Sequence, residues 1–119
     1  MEVGEAKRIL AIHSFSDPEN PLSETGFLGS LRPFTGLREE NFRQVKEAIA
    51  ALAPHLSQSS TVDRDVISAL WSIVYLGTLW GVNPDGMLLS NGLLSSSDAQ
   101  TLRRWINEIA YDVFALLDA

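Results

Sequence analysis

The stretch Thr61-Val62-Asp63-Arg64-Asp65-Val66-Ile67-Ser68-Ala69-Leu70-Trp71-Ser72-Ile73-Val74-Tyr75-Leu76-Gly77-Thr78-Leu79-Trp80-Gly81 decides the fold class. After Asp65 it carries apolar residues on nearly every side of a helical wheel, the pattern of a central helix in a bundle. Ser60-Thr61-Val62-Asp63 has the form of a capping box with Asp in the last place, so a helix over 61–81 is expected. No charge falls between Val66 and Pro84, nineteen residues. The apolar part is at the short limit for a membrane span and is broken by Ser68, Ser72, Gly77, Thr78 and Gly81, so a core helix explains it better. Gly77 and Gly81 permit a close neighbour or mark a frayed end.

Working outward, residues 37–54 place Phe42, Val45, Ile49 and Leu52 at alternating spacings of three and four, with Arg43, Lys46 and Glu47 outward. That is an amphipathic helix, with Thr35 as its expected N-cap, Leu56 extending its stripe and Pro54 as its expected end or kink. Residues 97–118 form the most strongly patterned helix. Ser97-Asp98-Ala99-Gln100 resembles a capping box, and Leu102, Trp105, Ile106, Ile109, Val113 and Leu116 or Leu117 make one apolar face, with Arg104 and Glu108 as an outward pair. Residues 5–15 fit a helical stripe and a strand equally well; with no second strand to pair, a short helix is expected.

Two connections carry unusual weight. Residues 16–36 hold Pro18, Pro21, Pro33, Gly26, Gly29 and Gly36, so they form a loop, yet Leu22, Phe27, Leu28, Leu31 and Phe34 are too apolar for a solvated linker. The segment is expected to lie across the helices, with a helical turn near Phe27–Leu31. Asn83-Pro84-Asp85-Gly86 is a type I turn, and residues 87–92 read as one helical turn closed by Asn91-Gly92. The expected architecture is therefore all-α: one domain over residues 1–119, with three main helices, a short N-terminal helix, antiparallel neighbours, and 61–81 in the middle.

Composition narrows function. The chain has 119 residues and no cysteine, which excludes a disulfide framework, thiolate metal sites and a cysteine nucleophile. Nine basic against fifteen acidic residues give a net charge of −6, with −2 over residues 1–60 and −4 over 61–119. No cationic surface for a nucleic-acid backbone is in view. The two histidines, His13 and His55, are far apart and have no ligand-like spacing, so no metal and no cofactor are expected. Asn83, Asp85 and Gly86 lack the remaining positions of a calcium loop. Gly26-x-x-Gly29 has no preceding strand and no Lys-Ser/Thr after it, and no Gly-x-Ser-x-Gly occurs. Glu39-Glu40 and Asp63/Asp65 are first-turn charges rather than a carboxylate pair about a substrate.

No catalytic constellation emerges, so a cytoplasmic, non-enzymatic protein-interaction module is expected. It would act as an adaptor, an immunity-type neutraliser of a basic protein, or a self-associating chain, away from nucleic acid and membrane. Its contact surface is expected in the connection 82–96, around Trp80, Asp85, Met87, Leu88 and Leu93. The alternative is a small-ligand domain with Phe15, Phe27 and Phe34 around an apolar pocket and Arg32 or Arg38 as a polar hook.

Overall fold

The computed structural model describes residues 1–118. It is all-α. In chain order the helices are α1 (Val3–His13), α2 (Glu39–Ser57), α3 (Arg64–Gly77), α4 (Met87–Ser90) and α5 (Ser96–Asp118), and a five-residue π-helical segment, Thr78–Val82, prolongs α3. Among the described residues there is no strand, only an isolated bridge between Leu31 and Phe34.

The four longer helices form a ring in which α1 packs on α2 and α3, and α5 packs on α2 and on α3 with its π extension. The chain-adjacent pair α2 and α3 lie diagonally, so α3 is one of four walls rather than the middle of the bundle. The reason is α1: its Ala6 and Leu10 are completely buried, which wedges it between its two neighbours. Pairing directions are mixed as well. Gly77 meets Ile106 while Gly81 meets Leu102, so α3 and α5 run antiparallel. Phe42 stacks on Trp105 and Lys46 reaches Asp112, so α2 and α5 run parallel.

The apolar stripes set the core. Val45, Ile49, Leu52 and Leu56 of α2 meet Leu102, Trp105, Ile106, Ile109, Val113 and Leu116 of α5, with Val66, Ala69, Leu70 and Ile73 from α3. Leu117 faces out. The Phe42 and Trp105 rings stack nearly parallel, with centroids 5.2 Å apart, and the Lys46–Asp112 ion pair at 2.7 Å closes the same seam. Arg104 and Glu108, by contrast, form no ion pair among the described residues and lie along an open groove beside Lys46 and Tyr111.

Several boundaries differ from the sequence expectation, and at the starts of α3 and α5 the reason is a competing capping oxygen. α2 begins at Glu39 after an Arg38 that supplies no side-chain cap; Thr35 instead closes the preceding loop, its N–H donating to the Ser30 carbonyl. The helix also runs through Pro54 to Ser57. Proline there removes the bond to the exposed Ala50 carbonyl, which water can satisfy, while buried Leu56 holds the last turn down. α3 starts three residues later than expected because Asp63 caps it, Oδ1 accepting from Asp65 N–H at 2.8 Å, and Ser59 ties up Thr61. α5 is capped two residues early, by Ser95 Oγ accepting from Asp98 N–H.

The 16–36 segment lies across the bundle, with Phe27, Leu28 and Leu31 buried. It carries a 3-10 helix at Pro21–Thr25, started by Asn20 Oδ1 accepting from Leu22 N–H, and a single hydrogen-bonded turn over the expected Phe27–Leu31 stretch, Ser30 N–H donating to the Gly26 carbonyl at 2.9 Å. Asn41 Nδ2 donates to the Thr25 carbonyl, and Arg38 donates to Ser30 Oγ. Polar bonds to α2 thus fix the loop in place around its three apolar anchors.

Candidate functional site

The residues expected at the 82–96 surface do not share one surface. Asn83-Pro84-Asp85-Gly86 does form its turn: Asn83 Oδ1 accepts from Asp85 N–H, and Gly86 N–H donates to the Asn83 carbonyl at 2.8 Å. α4 follows and ends at Gly92, whose φ of +67° suits glycine. This geometry turns Leu88 inward until it is 0% exposed, beside Gly81 and Leu102. Leu88 is a core residue, not a contact residue. Met87 and Trp80 are half-buried, and the Arg32 guanidinium lies 5.5 Å from the centre of the Trp80 ring, closing that end of the bundle. Only Asp85 and Leu93 stand in solvent.

The aromatic pocket does not assemble either. Phe27 is buried with its ring 6.4 Å from Trp105, Phe34 is half-buried, and Phe15 is exposed at the end of α1. Arg38 borders a polar cleft of about 720 Å³ that also takes in Arg8, Glu40, Asn41, Arg43 and Gln44, with none of the three phenylalanines. Arg32 is engaged with Trp80. Among the described residues no three His, Asp or Glu side chains gather as metal ligands would.

His13 has an assigned structural place instead. It is 2% exposed; its Nδ1 accepts from Phe27 N–H at 2.9 Å, so Nε2 carries the proton and donates to Gln44 Oε1 at 2.8 Å. Burial pushes its pKa below the ordinary 6.5, against smaller upward pulls from the Gln44 bond and the Glu40 charge. A neutral imidazole thus pins the long loop to α1 and α2.

What the sequence pattern missed is a surface on α3. Only a third of the most apolar window between Arg64 and Ser90 is buried. Trp71 is 61% exposed and Tyr75 52%, their rings stacked at 6.3 Å, and Leu79 continues the same outward row. On α5, Phe114 is 63% exposed, with Leu117 one turn on. The antiparallel register that sets Gly77 against Ile106 and Gly81 against Leu102 puts Phe114 level with Ala69 and Leu117 level with Val66, within a turn of Trp71 and Ile67, so the two rows run side by side on packed helices. The signal was present in the sequence: Arg64, Ser68, Ser72 and Thr78 share the outer half of the α3 wheel with Trp71 and Tyr75, marking that half as uncovered.

The exposed apolar side chains of this face amount to on the order of 500 Å², given roughly 150–250 Å² for a whole aromatic side chain. That is at the upper end of the largest apolar patches on soluble monomers. Comparison with known proteins assigns no family: no family model, curated protein or solved structure matches this chain.

Proposed function

We propose that this chain is a non-enzymatic protein-interaction module that docks through the outer face of α3 and α5. The observation that carries the reading is the uncovered row Trp71, Tyr75 and Phe114, because covering this aromatic surface with a partner releases the free-energy cost of solvating it. The rest of the surface favours this face over an acidic one. Asp63 pairs with Lys7 at 2.9 Å, Glu40 and Glu47 flank Arg43, and Asp112 holds Lys46, so these carboxylates are already engaged with cations of the chain itself.

The test is site-specific photo-crosslinking in living cells that make the protein. A crosslinker in place of Tyr75 should give discrete protein adducts, and one in place of Glu47 should not. Trp71→Ser with Phe114→Ser should remove the adducts while the thermal melt stays within about 2 °C, since neither side chain contributes much burial. Absence of adducts at Tyr75, or unfolding of the double variant, overturns the reading.

A further inference from the structure

We infer that the occupant of this face is a second copy of the same chain, related by a twofold axis that sets α3 of one protomer against α3 and α5 of its partner; the inference rests on the docking face proposed above. Charge is the first argument. Two copies of a chain with net charge −6 repel at most orientations, and the electrostatic cost is least where no charge is brought together. The stretch Val66–Pro84 has no ionisable side chain except Tyr75, and the adjoining α5 row of Ala110, Phe114 and Leu117 has none. A patch that meets itself across a twofold must be self-complementary, and a neutral apolar patch is so without any pairing of charges.

Size is the second. A standard interface takes about 800 Å² from each partner, with an apolar centre inside a polar rim. The aromatic face supplies the centre at on the order of 500 Å². Ser68, Ser72, Thr78 and Asn107, along the same two helices, supply an uncharged polar rim, and Arg64 and Arg103 are charges at its border. The stacked Trp71–Tyr75 pair is the rigid anchor, because two rings already packed at 6.3 Å lose little further freedom on docking.

Sedimentation equilibrium of the purified full chain, from micromolar to millimolar concentration, decides the matter. The expected result is a reversible species of twice the 13.1 kDa chain mass, with Kd on the order of micromolar. Raising sodium chloride from 0.05 to 1 M should leave this association unchanged or tighter, because salt screens the repulsion and there is no ion pair to lose. Trp71→Ser with Phe114→Ser should weaken it roughly a hundredfold or more, as for truncated central aromatics, with an unchanged far-ultraviolet spectrum. A chain that stays monomeric throughout overturns the second-copy inference; crosslinked adducts at Tyr75 in cells would then leave the docking face standing with a different protein on it. A dimer that persists in the double variant also overturns the inference. Pelleting of a monomeric chain with phosphatidylcholine vesicles through Trp71 would overturn both readings.

Discussion

Leu88 and Trp71 sit in apolar, charge-poor stretches that look alike on paper, yet one is wholly buried and the other stands mostly in water. The difference lies in what faces them. Leu88 is brought by the Asn83–Gly86 turn to the end of the bundle, where Gly81 lets Leu102 come close and all three pack together. Trp71 looks away from the neighbours that ring α3, which are α1 and α5. Apolarity states a demand for cover; whether cover exists depends on the spatial neighbours. For the 82–96 connection the chain supplies its own, and for the α3 face it supplies none.

The comparison breaks most sharply at Leu88. Leu88→Ala should cost about 2–5 kcal/mol, the range for a leucine removed from a closed core, and lower the urea midpoint without changing the slope. Leu93→Ser, five residues on and exposed, should change stability by less than about 0.5 kcal/mol. Equal losses at the two positions would mean that α4 and its following turn are covered as a unit and that the contrast is misplaced.

How much of this was legible follows the same line. The α5 face was readable residue by residue, because Leu102, Trp105, Ile106, Ile109, Val113 and Leu116 repeat at helical spacing and all are buried. Helix starts were less readable, because Ser57–Thr61 and Ser95–Ser97 offer several equivalent capping oxygens and only the tertiary setting chooses among them. Hence α3 is capped by Asp63, which Lys7 of α1 holds in place, its carboxyl drawn below the usual range chiefly by that bond. The ring order was not readable at all. It follows from α1 entering the core between α2 and α3, and a stripe as brief as Ala6 and Leu10 does not show in sequence that it will be completely enclosed. With α3 expected in the middle, its outer aromatics could only be expected in the core.

A second pair, His13 and Phe15, inverts the ordinary rule, the imidazole being buried and the phenyl ring 41% exposed. The inversion predicts a pH dependence. Because the folded state holds His13 neutral and its pKa below 6.5, the unfolded chain binds the proton more readily. The stabilising contribution is therefore fully present above about pH 6.5 and is lost as pH falls from there through the folded-state pKa. Melts between pH 7.5 and 5 should show this decline, and His13→Gln, whose amide can both accept from Phe27 and donate to Gln44, should flatten it. Nuclear magnetic resonance titration should find the His13 pKa below the ordinary 6.5. A flat wild-type profile would detach His13 from loop anchoring and leave Phe27, Leu28 and Leu31 as its anchors.

Phe15 offers a small and pointed effect. α1 ends in a Schellman arrangement: Ser16 N–H donates to the Ala11 carbonyl at 2.9 Å and Phe15 N–H to the Ile12 carbonyl at 3.2 Å. The pivot of this motif is a left-handed residue, normally glycine, and here it is Phe15 at φ +58°. A phenylalanine held there costs on the order of 1–2 kcal/mol in backbone strain. Against that stands the loss of its partial burial and the greater flexibility of an unfolded glycine. Phe15→Gly should therefore raise stability by about 0.5–1 kcal/mol net, read as a small upward shift in the melt. A fall of 1 kcal/mol or more would show that the ring is held by packing worth more than the strain, and the partly exposed phenyl would then belong with Leu88 among the covered residues rather than with Trp71 among the uncovered ones.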